Sequence, residues 1–124
     1  MLAEQFKRAA QAADHEALIE ALAPDVVFRS PIVFKPYHGR EAVSPILRAV
    51  MQVFEDFTYV DQLEGERSAT LLFKARAGDR ELDGLDYLRF DPSGLVSELT
   101  VMVRPLSAAL TLAETMRARL DAAA

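Results

Sequence analysis

The residue of greatest chemical interest is an aspartate in a segment with the two-residue period of a β-strand. Asp86 shares one predicted strand face with Leu82, Gly84, Leu88 and Phe90. An inward carboxyl on such an apolar face loses solvation, so its pKa should rise toward that of a neutral, hydrogen-bond-donating acid. We therefore predict that Asp86 is a catalytic or ligand-binding acid. The alternative is a structural aspartate that is bonded to a buried polar group.

A histidine and a serine mark the two ends of a predicted loop from Pro31 to Gly39. The unperturbed pKa of histidine is near neutrality, so His38 could act as an acid or base, or orient a ligand. The alternative is a surface or helix-capping histidine. Ser30, His38 and Asp86 could converge on one cavity. Nothing around Ser30 resembles a nucleophile elbow, however, so a catalytic triad is not predicted.

The histidines give no pattern for a metal. The chain has two histidines and no cysteine. His15 and His38 have no recognisable metal-ligand spacing, so neither a metal site nor a cofactor is predicted. His15 follows Asp14, a good N-cap for a short helix, and we expect this histidine to be exposed to solvent.

Helices early in the chain and strands later in it must position these side chains. Apolar residues at helical spacing predict helices over 2–12, from Asp14 to Pro24, and over 43–54, the third either beginning at Ser44-Pro45 or kinked there. Strands are predicted at residues 26–30, 57–63, 67–77, 80–90 and 95–104, and a closing helix follows Pro105. This order predicts an α+β fold in which an antiparallel meander packs against the long helix, with a further helix at the C-terminus.

A sheet that cups helices leaves a concave interior, and such interiors bind small ligands. The candidate ligand-binding residues either have inward parity or lie on the loop at the mouth: Phe6, Phe28, Ser30, Phe34, Tyr37, Phe73, Leu82, Leu88, Phe90, Leu99, Val101 and Val103. Most of the apolar members must fill the core in any case. A pocket for a small apolar molecule and a simple core are both compatible with this set.

Composition limits the classes of protein to which the chain could belong. It has 124 residues, of which 51% are hydrophobic and 27% charged, so residues 1–124 are predicted to form one globular domain. The net charge of −5 argues against a nucleic-acid partner. No apolar run approaches the roughly 20 residues of a membrane span, and the first residues lack the apolar stretch of a signal peptide. We therefore expect a soluble, cytoplasmic protein without a membrane partner.

The residues that are predicted to point outward on the last strands are a mixture of apolar, polar and charged types. They comprise Thr70, Leu72, Lys74, Tyr87, Arg89, Thr100, Met102 and Arg104. A sheet face that mixes tyrosine, methionine and threonine with arginine is better suited to an interface than to bare solvent. We therefore predict a homodimer formed through this face.

Three stretches, at 14–28, 38–43 and 85–96, resemble the nuclear-transport-factor-2-like superfamily, in its SnoaL-like and ketosteroid-isomerase-like branch. They resemble the second helix with the first strand, the entry into the long helix, and the last hairpin of that fold. The resemblance covers nearly the whole chain, and the closing helix is an addition relative to the ketosteroid isomerases. It implies a cone-shaped, curved antiparallel sheet that wraps around helices, and it agrees with dimerisation through the sheet. The fold carries both enzymes and non-enzymes.

Only some of the catalytic residues of the ketosteroid isomerases have a counterpart in this chain. The catalytic base is a carboxylate before a proline at the end of the first strand, and here that position is Ser30, before Pro31. The tyrosine that donates to the oxyanion corresponds to Phe6, which cannot donate. The second donor, an aspartic acid in the penultimate strand, is present as Asp86. The resemblance therefore implies that steroid isomerase activity is absent.

Two functional hypotheses follow. The first is a protein that binds a small apolar molecule in the cone, without ketosteroid isomerase activity. The alternative is an enzyme of the isomerase, cyclase, dehydratase or epoxide hydrolase type, which would use Asp86 as a buried acid and His38 as an acid or base.

Overall fold

The computed structural model describes residues 2–123, and it contains four helices and six strands within them. The helices are α1 (Glu4–Gln11), α2 (His15–Glu20), α3 (Arg40–Val53) and α4 (Leu106–Ala123). The strands are β1 (Leu22–Arg29), β2 (Tyr37–His38), β3 (Phe54–Glu64), β4 (Ser68–Ala77), β5 (Arg80–Phe90) and β6 (Val96–Arg104). The predicted α+β class and the closing helix after Pro105 are confirmed.

The six strands form one curved, unclosed sheet in the order β2-β1-β6-β5-β4-β3. Strands β3 to β6 form the predicted antiparallel meander, and β2 pairs antiparallel with β1. The pairing of β1 with β6 is parallel, and it joins Leu22 to Val96. The parallel pair joins the first strand of the chain to the last one. The strand patterns in the sequence did not predict this pairing.

The first strand begins earlier than predicted. Helix α2 ends at Glu20, and Pro24 lies inside β1 instead of ending the helix. The proline is tolerated because the register with β6 shifts between Leu22 and Val27. In this irregular stretch the proline nitrogen, which has no hydrogen to donate, is not needed for a hydrogen bond between the strands. The predicted loop at 31–39 also contains the short strand β2, whose Tyr37 pairs with Phe28.

Helix α3 neither begins at Pro45 nor ends at Phe54. It starts at Arg40, directly after Gly39, which has the positive φ of 88° that glycine adopts without steric cost. Pro45 therefore lies inside the helix. Phe54, which the helical period included, is the first residue of β3.

Strand β3 carries two irregularities that change the direction of its side chains. Its register with β4 shifts between Glu55 and Thr58 and again between Tyr59 and Asp61. Leu63, which the period-two pattern placed on the same face as Tyr59, is 61% exposed because the second shift reverses the parity. Such bulges bend a strand and increase its twist, which is consistent with a curved sheet.

The core lies between the concave face of the sheet and the helices. One part packs α1, α2 and the start of α3 against β1, β5 and β6. The other part surrounds Phe73 and packs the end of α3 and the buried side of α4, with Ala108 and Leu112, against β4. No helix in the described range 2–123 is long and apolar enough to cross a membrane.

Candidate functional site

A cavity of about 520 Å³ lies between the concave face of the sheet and the helices. Its apolar wall includes Phe6, Ala10, Leu18, Phe28, Ile46, Leu47, Val50, Met51, Phe54, Phe57, Leu99, Val101, Leu112, Met116 and Leu120. The polar side chains that reach it are Gln11, Ser30, Tyr37, Tyr59, Asp86, Arg117 and Asp121. The volume falls within the range of about 300–1,000 Å³ that is typical of small-molecule sites.

Asp86 and Tyr59 form a hydrogen-bonded pair in this cavity. The phenol of Tyr59 donates to Oδ2 of Asp86 over 2.6 Å. Asp86 is 7% exposed, and it is the one charged residue among the buried residues of the described chain. A buried carboxyl needs such a partner because unpaired polar groups in an apolar interior cost free energy.

The register of the sheet brings these two side chains together. Tyr59 lies opposite Phe73 on β4, and Phe73 lies opposite Gly84 on β5. A Cβ at Gly84 would collide with the ring of Phe73, so the glycine leaves room for that ring. Asp86 is two residues beyond Gly84 on the same face, within reach of a tyrosine that extends diagonally across β4.

Burial raises the pKa of both groups. It raises the pKa of Asp86 to about 7, and the hydrogen bond from Tyr59 opposes this rise by favouring the carboxylate. The pKa of Tyr59 is raised far above its ordinary value, first by burial and then by the charge and hydrogen bond of Asp86. Near neutral pH the aspartate is therefore partly a neutral acid, whose O–H can donate while the other oxygen accepts from Tyr59.

Tyr59 was not predicted as a site residue, although the sequence carries a signal for it. It shares an inward strand face with Phe57. A tyrosine on a buried face normally finds a hydrogen-bond partner for its hydroxyl. An inward tyrosine and an inward aspartate on nearby strands of one meander are therefore candidates for a pair.

The other predicted catalytic residue, His38, lies elsewhere. It belongs to β2, opposite Val27, is exposed, and is not among the residues that line the cavity. Ser30 does line the cavity, but its Oγ accepts hydrogen bonds from the backbone nitrogens of Ile32 at 3.1 Å and Val33 at 2.9 Å. The Ser30 hydroxyl is therefore engaged in hydrogen bonds within its own loop. Ser30, His38 and Asp86 do not come together as a triad.

The predicted ligand-binding residues divide into two groups. Phe6, Phe28, Ser30, Tyr37, Leu99 and Val101 line the cavity. The residues that do not line it are Phe34, Phe73, Leu82, Leu88, Phe90 and Val103. Phe34 is 99% exposed, whereas Phe73 packs against the rings of Phe54 and Phe57. Inward parity alone therefore did not identify the lining residues, because an inward side chain such as Phe73 can pack against other aromatic rings.

His15 is half-buried, and the expectation that it is exposed to solvent was wrong. Its Nε2 lies 3.0 Å from Oγ of Ser44 on α3, a contact between α2 and the long helix. Burial and the positive charge of Arg48 lower the pKa of this histidine. The interpretation of Asp14 as an N-cap is confirmed, since its carboxylate accepts a hydrogen bond from the backbone nitrogen of Ala17.

The curved, unclosed sheet packed against helices is the nuclear-transport-factor-2-like fold that also occurs in ketosteroid-isomerase-like proteins. Residues 3–99 match the family model of the SnoaL-like domain. The chain belongs to this SnoaL-like family. A comparison with curated proteins found no match.

Solved structures agree with this assignment. A protein from Pseudomonas aeruginosa that is described as a steroid delta-isomerase is 44% identical, with a TM-score of 0.92, over 98% of this chain and 90% of that one. An uncharacterised protein with a cystatin-like fold from Silicibacter pomeroyi is 27% identical, with a TM-score of 0.91, over 95% and 84% of the two chains. An NTF2-like protein of unknown function from Mesorhizobium loti, at 19% identity and a TM-score of 0.73 over 84% and 88%, shares the fold.

Proposed function

We propose that the protein binds a small, mostly apolar molecule that carries one carbonyl or hydroxyl oxygen, and that Asp86, which Tyr59 holds in place, donates a hydrogen bond to this oxygen. The observation that carries the proposal is a buried, hydrogen-bonded acid in a cavity whose wall is otherwise mainly apolar. The apolar wall favours a hydrophobic body. The neutral form of Asp86 has a donor to offer to an oxygen of the ligand.

A matched pair of neutral probes tests the role of the oxygen. Isothermal titration calorimetry should show that 2-acetylnaphthalene binds about two- to tenfold more tightly than 2-ethylnaphthalene, because a net hydrogen bond contributes about 0.5–1.5 kcal/mol. The preference should fade as the pH rises through the pKa of Asp86, about 7, since the carboxylate only accepts. Asp86→Leu should abolish the preference, and Asp86→Asn should make it independent of pH.

The control is Asp83→Asn, on the same strand but on its opposite face. Asp83 forms ion pairs with Lys74 and Arg104 and does not line the cavity. This variant should keep both the ketone preference and its pH dependence. Equal affinity for the two probes at low pH, or a preference that survives in Asp86→Leu, would contradict the proposed role of Asp86.

Catalysis is the second candidate function, favoured by the similarity to the Pseudomonas aeruginosa protein that is described as a steroid delta-isomerase. Of the two predicted catalytic residues, only Asp86 lines the cavity, so acid–base chemistry there would depend on Asp86 and Tyr59 rather than on His38. Ser30 and Phe6 stand where the resembling isomerases have a base and a donor. We therefore propose binding without steroid isomerisation.

We also propose that the protein is a homodimer that meets through the outer face of the sheet. Leu72, Leu85 and Met102 form one cross-strand row on that face, and Met102 is 57% exposed. The next row contains an ion-paired cluster in which Asp83 bonds to Lys74 and Arg104. An apolar centre with a charged rim is typical of an interface. A cytoplasmic location stays a prediction.

A further inference from the structure

Helix α4 brings charged side chains to the entrance of the cavity. Its buried residues Leu112 and Met116 form part of the apolar wall. One and five residues beyond Met116, the exposed side chains of Arg117 and Asp121 also line the cavity. The match to the SnoaL-like family model ends at residue 99, so α4 adds these groups outside the matched region.

Arg117 has no partner of opposite charge among the described residues. None of their carboxylate oxygens lies within 4.0 Å of its guanidinium nitrogens, and it makes no hydrogen bond to them. The nearest acids along the helix are Glu114 and Asp121. An arginine that precedes an acid by four residues is in the less favourable orientation for a helical ion pair. Arg119, in contrast, donates to Gln52 of α3 over 3.0 Å.

We infer that the ligand carries a carboxylate at the end that faces α4, and that Arg117 selects for it. This inference rests on the proposed binding function of the same cavity. A guanidinium presents a rigid fork of donors that matches the two oxygens of a carboxylate. The whole chain has a net charge of −5, so an anionic ligand is repelled overall and needs a local cation.

Asp86 and Arg117 together then define a class of ligand. Its body is apolar, and it carries a carbonyl or hydroxyl oxygen for Asp86 and a carboxylate for Arg117. Asp121 also reaches the cavity. Its charge opposes an acid, so it limits the affinity and sharpens the requirement for Arg117.

Calorimetry with three probes that share one ring system tests the inference. The probes are 2-naphthylacetic acid, 2-naphthylacetamide and 2-(2-naphthyl)ethylamine, at low ionic strength. The wild type should bind the acid about three- to tenfold more tightly than the amide, as expected for a charge-assisted contact at an exposed site. Arg117→Gln should remove this preference. Asp121→Asn should increase the affinity for the acid.

The matched control is Arg119→Gln, which removes the same charge from the same helix outside the cavity lining. It should keep the preference for the acid. Equal binding of acid and amide by the wild type, or the same loss in both arginine variants, would overturn the role of Arg117 and leave the proposed function standing. Preferential binding of the amine would overturn it in favour of a cation held by Asp121. If none of these probes binds but 2-acetylnaphthalene does, the inference fails and the proposed function stands; if 2-acetylnaphthalene does not bind either, both fail.

Discussion

Replacement of Asp86 by asparagine should stabilise the protein progressively, relative to the wild type, as the pH rises. Burial raises the folded-state pKa of this carboxyl from 3.8 to about 7. A group whose pKa is raised on folding contributes stability that is fully present below the unfolded pKa and is lost as the pH rises through the folded pKa. The wild type must therefore lose stability between about pH 4 and 7 through this one group.

The size of the effect follows from the shift. Each pKa unit corresponds to about 1.4 kcal/mol, so a group that moves from 3.8 to about 7 accounts for about 4 kcal/mol over the full range. Between about pH 5 and 8 the corresponding change is about 3 kcal/mol. The side-chain amide in Asp86→Asn would keep an oxygen that accepts from Tyr59 but would not titrate. The difference in unfolding free energy between Asp86→Asn and the wild type should therefore grow by about 3 kcal/mol between about pH 5 and 8.

Urea denaturation followed by circular dichroism over this pH range measures the difference. Asp83→Asn is the matched control, because Lys74 and Arg104 lower the pKa of the partly exposed Asp83 and its carboxyl does not titrate in this range. Its difference from the wild type should stay constant with pH. A constant difference for Asp86→Asn as well, or a carboxyl NMR titration that places the pKa of Asp86 below 3.8, would refute the reasoning and identify an ionised structural anchor.

Three further outcomes are expected. Tyr59→Phe should raise the pKa of Asp86 above its value of about 7, because it removes the hydrogen bond that favours the carboxylate; an unchanged or lower value in a carboxyl NMR titration would contradict this. The wild type should have the mass of a dimer by light scattering at micromolar concentration, and Met102→Glu with Tyr87→Glu should split it by burying unpaired charge; a monomeric wild type would rule the interface out. An ultraviolet assay with a Δ5-ketosteroid should show no turnover above background, since loss of a general base costs roughly 10²–10⁴-fold; robust turnover that Asp86→Ala abolishes would show that the comparison of Ser30 with the isomerase base is wrong.

Local chemistry was sufficient for several features. The two-residue period alone predicted that Asp86 shares an apolar face, and the aspartate is 7% exposed. Asp14 caps α2 and the turn at Asp91–Gly94 forms, because both depend on hydrogen bonds between residues close in sequence. Gly78, with a φ of 63°, supplies the turn between β4 and β5 for the same local reason.

Tertiary structure decided which inward residues reach the cavity and which partners they have. Tyr59 meets Asp86 only because the bulges of β3 and the register of three strands align them across β4. His38 is placed outside the cavity lining by the pairing of β2 with β1, which its own sequence pattern does not encode.

The sequence by itself therefore determined the class of fold, the direction of Asp86 and the apolar character of the interior, because periodicity and capping act over a few residues. Only the tertiary structure decided the pair that Asp86 forms, the parallel contact between β1 and β6, and the position of Arg117 at the entrance. These depend on contacts between segments that are distant in sequence. Such contacts are selected by the packing of the whole chain rather than by local preference.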